Sequence, residues 1–170
     1  RIYKTTTDNS TGAGGNYRGP RTTYYLIYEC CDLMAIKLDA KGGFVWMQVV
    51  PKFQRETFLF NTFNGAGVPR EQAEAVNRPF FASFGAIQTP TAIHIFMNDS
   101  PRNLDVVSAG QRYKSVYKFS KTDLFELTIN EATGKITRKS LCSNADIPTS
   151  MPRLGSAIGT NWYLVGKTDR

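Results

Sequence analysis

Asp32-Leu-Met-Ala-Ile-Lys-Leu-Asp39-Ala-Lys-Gly-Gly43-Phe-Val45 and Asp123-Leu-Phe-Glu-Leu-Thr-Ile-Asn130-Glu-Ala-Thr-Gly134-Lys-Ile136 are the two stretches that decide the fold. Each opens on Asp-Leu and then places apolar side chains at alternate positions: Met34, Ile36 and Leu38 in the first, Phe125, Leu127 and Ile129 in the second. Alternation with a period of two is the signature of a strand with one face buried. An acid or amide, Asp39 or Asn130, ends each run, and Gly43 or Gly134 follows at the same offset from the opening Asp. Glycine reaches positive φ at little cost, so each stretch reads as a β-hairpin. Two gapless matches over about twenty residues mark an internal repeat.

Reading outward, Tyr24–Tyr28 and Arg112–Phe119 are aromatic-rich strands ahead of the hairpins. Thr91–Met97 and Asn161–Gly166 are apolar strands behind them. Residues 1–23 are rich in Thr, Gly and Asn and read as a polar arm or loop. The β-repeat domain then covers 24–170, with one unit over about 24–100 and a second over about 112–170. An insertion at 57–80 interrupts the first unit, and Pro69–Asn77 within it reads as a short helix, with Pro at the first helical position and acids in its early turns. The expected class is all-β and mainly antiparallel, arranged as propeller-like blades or as a β-sandwich. A propeller usually needs about four to eight blades, and two units alone leave long open edges. That favours completion by another chain or by the remainder of a longer polypeptide, an expectation strengthened by a first residue, Arg1, that is not Met.

The block Asp32 to Gln54 resembles one found in β-propeller-like repeat proteins of Bacteroidetes cell envelopes. The matching elements are the alternating strand, the Gly turn, Trp46, Pro51-Lys52 and Gln54. Ile95-Phe96-Met97-Asn98-Asp99 resembles their strand ending in Asn-Asp, and Asp146-Ile147-Pro148 fits the segment before the last strand. The likeness spans about residues 24–170. It implies a C-terminal portion of a longer, outer-membrane-associated or extracellular protein, and it carries over no catalytic residue. The Cys30-Cys31 pair and the insertion at 57–80 depart from the pattern.

Composition sets the remaining bounds. One domain's worth of chain, 170 residues, buries roughly 70% of its unfolded surface. The 41% hydrophobic and 21% charged fractions are those of a globular protein. No apolar run reaches the roughly 18 residues of a membrane-spanning helix. Three cysteines, two of them adjacent, make neither a disulfide framework nor a metal clamp. A net charge of +7 favours solubility and anionic partners.

Motifs for chemistry are sparse, and neither a catalytic group, a metal site nor a cofactor is expected. The single histidine, His94, sits in an apolar strand with no nucleophile motif near it, which favours a structural role. Asp32, Asp39, Asp99, Asp105, Asp123 and Asp146 lie mostly at strand ends, where Asp caps turns. Asn98-Asp99-Ser100 reads as a turn in preference to a calcium loop. In Arg112–Lys121, strand alternation would put Arg112, Lys114 and Lys118 on one face and Tyr113, Tyr117 and Phe119 on the other. That favours an aromatic core face and a solvated basic face over a base-stacking platform. Lys121 completes this basic set.

The leading expectation is thus a non-catalytic domain of the cell envelope that binds a protein or glycan partner. Phe58, Phe60, Phe63, Phe80 and Phe81 are its candidate anchors, since aromatics dominate interface hot spots. A polysaccharide hydrolase built on loop carboxylates is one alternative. A nucleic-acid or polyanion binder using Arg112, Lys114, Lys118 and Lys121 is another, and nucleic acid ranks behind the protein or glycan partner.

Overall fold

Both hairpins form, and their turns are closed by the same device. In the computed structural model, which describes residues 2–8, 21–60, 81–145, 149–159 and 161–167, Asp39 Oδ1 accepts the backbone N–H groups of Lys41 and Gly43 at 2.8 and 2.7 Å. Asn130 Oδ1 accepts those of Ala132 and Thr133 at 3.1 and 2.9 Å. A short polar side chain that folds back on its own turn explains why an acid or amide stands at both positions. The matched glycines are not conformationally equivalent, however. Positive φ falls at Gly42 (82°) and at Gly134 (69°), so the first turn is one residue tighter.

The described residues hold eleven strands and two single-turn 3-10 helices, at Pro101–Asn103 and Phe119–Lys121, and the strand pairings with a defined register are antiparallel. The fold is all-β. The chain divides into two units. The first comprises residues 1–28 and 56–79. In it β1 (Ile2–Asp8) pairs with β2 (Arg21–Cys30), and β5 (Gln54–Phe60) flanks β2. Part of the polar arm expected over 1–23 is therefore strand. Tyr28 meets Phe58 edge-on at 6.0 Å. The short helix expected at Pro69–Asn77 lies outside the described residues.

The second unit, residues 29–55 and 80–170, holds the rest. β3 (Leu33–Leu38) and β4 (Phe44–Val50) make a two-stranded sheet. β6 (Phe84–Gln88), β7 (Ala92–Asp99), β8 (Asp123–Asn130) and β9 (Ile136–Ser143) make a four-stranded sheet in chain order. β10 (Thr149–Ile158) and β11 (Asn161–Lys167) form the third sheet of this unit, and the Trp162 ring lies 4.9 Å from that of Phe96 on β7.

The core sits where the first hairpin stacks on the four-stranded sheet. Leu33, Trp46 and Val50 pack against Ile95, Met97, Phe125, Leu127 and Ile129. Phe125, Leu127 and Ile129 have no exposure at all, and each such side chain contributes about 1.5–3 kcal/mol. The repeat predicts the same burial for Met34, Ile36 and Leu38, but these are 61%, 48% and 56% exposed. The first hairpin presents its other face, because Trp46 and Val50 on β4 lie on the side of Leu33 and not on that of Met34. Trp46 Nε1 donates to Glu131 O at 3.1 Å, and Lys37 Nζ reaches the Glu131 carboxylate at 2.6 Å, so one hairpin is clamped over the turn of the other.

Gly134 is fixed by this clamp as well as by its φ. A Cβ there would lie 3.0 Å from Trp46 Cδ2, whereas one at Gly42 would meet nothing within 4 Å. Left-handed backbone costs a non-glycine residue about 1–2 kcal/mol. Gly134→Ala is expected to lower unfolding free energy by more than Gly42→Ala does, the excess reporting the Trp46 contact. Equal losses in urea titrations of the two variants would remove the clamp from this account.

Candidate functional site

β7 ends in Asn98-Asp99, Ser100 follows, and all three are buried and organise the loops beyond. Asp99 Oδ2 pairs with Arg138 Nη2 at 2.5 Å, and neither side chain is exposed to solvent. Arg138 also stacks 4.4 Å above the Phe125 ring and donates to Val106 O at 3.1 Å. Asp99 Oδ1 accepts from Ser100 N and from Asn103 Nδ2 at 2.7 and 2.8 Å. Asn103 then grips the backbone of Lys114 on both sides: Nδ2 donates to Lys114 O at 2.9 Å, and Oδ1 accepts from Lys114 N at 2.7 Å. A side chain thereby supplies the bonds that a neighbouring strand would otherwise make.

A second buried cluster holds the far end. Asn98 Oδ1 accepts from Asn144 Nδ2 at 2.9 Å and from Ser150 Oγ at 2.5 Å. Asn144 Nδ2 also donates to Thr122 Oγ1, and Thr122 Oγ1 donates to Phe119 O. Gln54 Nε2 donates to Asn98 O. Pro51, Lys52, Gln54, Asn98 and Asp99 are all buried.

Between these anchors residues 111–118 form no strand. Only Val116 makes a ladder contact, its N–H and C=O bonding Phe53 O and Arg55 N at 2.8 and 2.9 Å. The strand expected over Arg112–Phe119 is corrected accordingly, and so is its aromatic core face. Tyr113 and Tyr117 are 37% and 59% exposed. The inward side chain is Val116, which packs with Phe81, Ala82, Cys30 and Phe119.

The consequence is a groove of about 630 Å3. Ser100, Pro101 and Arg102 line it from the end of β7, Lys114–Lys118 from the segment before the second 3-10 turn, and Ser120–Asp123 from that turn and the start of β8, with Ser143 closing it. Four of its side chains are cationic: Arg102, Lys114, Lys118 and Lys121, all exposed. None of the four pairs with a carboxylate of any described residue. Asp123 is the single acid in the lining, and its Oδ2 accepts from Ser140 Oγ at 3.1 Å. Ser100, Ser115, Ser120, Thr122 and Ser143 add hydroxyl side chains, and Tyr117 adds an aromatic ring.

Of the basic set read from the sequence, Lys114, Lys118 and Lys121 come together here, and Arg112 does not line the groove. Arg102 was not singled out, since Pro101-Arg102 belongs to no basic run. Among the aromatic candidates, Phe81 is 5% exposed and packs inward, and Phe58 is half-buried. The side chains of Phe60, Phe63 and Phe80 lie outside the described residues.

The other candidates hold structural partners. His94 Nδ1 bonds Glu126 Oε1 across strands at 2.8 Å. Asp32 Oδ1 accepts Lys52 N at 3.0 Å. Cys30 Sγ donates to Ala82 O at 2.6 Å, while its neighbour Cys31 is exposed. Among the described residues no group of three or more His, Cys, Asp or Glu side chains is placed to hold a metal. No described helix is long and apolar enough to cross a membrane. Compared with known protein families, curated proteins and solved structures, the chain matches none.

Lys52 is 2% exposed and lies 5.5 Å from the centre of the Phe84 ring. Burial pushes its ammonium pKa below 10.5, and the nearby Cys30 and Asp99 only partly offset this. A lowered folded pKa means that the unfolded chain binds more protons between that pKa and 10.5, so this group makes stability rise with pH across that window. Lys52→Met is therefore expected to gain stability over wild type near neutral pH, with the difference shrinking as pH approaches 10.5. Urea unfolding at stepped pH checks it, and a pH-independent difference would contradict it. Taking the difference between the two proteins removes the opposing effect of Cys142, whose thiol pKa burial raises, stabilising the fold below pH 9.0 and losing that effect above it.

Proposed function

We propose that this chain is a non-catalytic binding domain whose partner is an acidic glycan taken in the 100–123 groove. One observation carries the reading: four cations that pair with no carboxylate among the described residues line the same groove as the hydroxyls of Ser115, Ser120 and Ser143. Unpaired cations beside a concave surface raise the local concentration of an anionic partner. Serine and threonine hydroxyls both donate and accept, which suits the hydroxyls of a sugar chain carrying carboxylate or sulfate groups. Tyr117 offers a flat apolar surface for one ring.

The same lining discriminates against single-stranded nucleic acid. Modules for that ligand stack two or three bases on as many aromatic side chains, and Tyr117 is the one aromatic side chain in this lining. The hydrolase reading is weakened by the engagement of its carboxylates: Asp32, Asp39 and Asp99 hold backbone groups, and Asp99 is also tied to Arg138. A cell-envelope setting, which the sequence resemblance implies, is where such a partner would be met.

The test is fluorescence anisotropy with three labelled probes in a salt series: a sulfated or uronic acid oligosaccharide, a neutral dextran of equal length, and an oligothymidylate. The expected result is binding of the acidic oligosaccharide that weakens as salt rises, with no binding of dextran. Tighter binding of oligothymidylate would replace the glycan by nucleic acid, and salt-insensitive or absent binding of both anionic probes would end the polyanion reading.

A further inference from the structure

The outward face of the first hairpin has no cover within the described chain. Met34, Ile36 and Leu38 on β3 are 61%, 48% and 56% exposed, and Phe44, Val45 and Met47 on β4 are 69%, 43% and 48% exposed. Ile36 and Met47 are direct cross-strand partners at the centre of this face. The opposite face of the same hairpin is part of the core. A two-stranded sheet is marginal by itself in water and needs a hydrophobic face packed to persist. Here one face meets that need, and the other carries six large apolar side chains in solvent. Isolated exposed apolar residues are ordinary, but a contiguous patch is the mark of an interaction site.

We propose that this face is closed by the same face of a second copy of the chain, in a two-fold symmetric dimer. Two features select a second copy. The first is area: side chains of this size at these exposures offer on the order of 600 Å2 per copy, so a pair buries about 1,200 Å2, the lower bound of a specific interface. The second is charge. Lys41 stands exposed at the turn end of the hairpin, beside Asp39, whose carboxylate is engaged with the Lys41 and Gly43 N–H groups, and Asp32 stands exposed at the open end. A two-fold axis passing near Ile36 runs the two hairpins antiparallel and brings Lys41 of each copy to Asp32 of the other. The face can thus meet its own copy with apolar centre on apolar centre and Lys41 near Asp32, the reciprocal pairing that an isologous interface requires. Stacking on the core side already shows the packing mode, since there the hairpin lies face to face on a second sheet.

The inference does not depend on the groove, whose lining residues all lie outside β3 and β4. Its test is the native mass of the whole chain by sedimentation across a concentration series. The expected result is a species of twice the 19.0 kDa chain mass that dissociates on dilution. Ile36→Asp, at a solvent-facing position, is expected to give a monomer with a cooperative melting transition. Because an altered hairpin could also lose its fold, the charge pair supplies an independent arm. Lys41→Asp and Asp32→Lys are each expected to weaken the dimer by about tenfold, and the double exchange to restore it. A wild-type monomer at every concentration overturns the proposal. So does a dimer that survives Ile36→Asp, or a double exchange that fails to rescue the single ones.

Discussion

Asp99→Asn is expected to cost about 3–5 kcal/mol of unfolding free energy, the price of leaving a buried charge without its partner. Asn is nearly the same size, so the loss is electrostatic and not a matter of volume. Arg138 sits over Phe125 with no solvent to take the place of the carboxylate. Its Nε is already without a hydrogen-bond partner, so the guanidinium has little left to fall back on. Against a total stability of about 5–15 kcal/mol, the variant should melt roughly 6–20 °C lower, at the 2–4 °C per kcal/mol of a chain this long. The paired replacement Asp99→Leu with Arg138→Met is expected to recover part of the loss, since apolar groups can stand in for a buried ion pair. Recovery should stop short of wild type, because Asp99 also holds Ser100 N and Asn103 Nδ2. Denaturant titrations of wild type, Asp99→Leu, Arg138→Met and the double variant close a double-mutant cycle that gives the coupling directly. A loss for Asp99→Asn no larger than about 1 kcal/mol, the scale of a surface ion pair, would refute the buried-charge account.

How far the sequence could be read follows from what each pattern encodes. The hairpins, the strand at Thr91–Met97 and the last strand at Asn161–Gly166 were legible because alternation, turn residues and apolar runs are local signals, and β3, β4, β7, β8, β9 and β11 lie where those signals fall. Which face of β3 goes inward was not legible from β3. Leu33 and Ala35 are apolar as well as Met34, Ile36 and Leu38, so the strand itself is ambiguous, and only the register that sets Leu33 opposite Val50 decides it. Arg112–Phe119 failed for a related reason. Its alternation of basic and aromatic residues assumes pairing with a neighbouring strand, and the backbone there is held instead by the Asn103 side chain and by the single bridge at Val116. Without the pleat the two sets do not part, and Tyr117 joins the lysines in one groove. The buried polar frame beneath was invisible for the opposite reason. Asn98, Asp99, Gln54 and Arg138 are residues of the surface by composition, and their burial rests on partners far along the chain.

Combined replacement of Lys114, Lys118 and Lys121 by Ala is expected to abolish most of the affinity for an acidic oligosaccharide. Counterion release sets the scale: each cation removed from the contact lowers the slope of log affinity against log salt by about one. The loss should therefore be largest at low salt, of the order of 100-fold or more, and fade as salt rises. A matched control separates the groove from net charge. Arg112, Lys135 and Lys139 are also exposed and lie outside the lining, so replacing those three by Ala removes the same charge from elsewhere. If +7 acts only as a diffuse field, the two triple variants bind alike, and the groove has no special standing. If the groove is the site, the control keeps the wild-type slope and nearly all its affinity. Tyr117→Leu adds a third axis. It removes the ring and no charge, so affinity should fall with the salt slope unchanged, and a changed slope would mean that Tyr117 orders the lysines instead of meeting the ligand. Asn103→Ala completes the logic from below: it takes away both hydrogen bonds that fix the Lys114 backbone, and weaker binding with the four cations still present would show that their placement, not their number, is what the buried frame supplies.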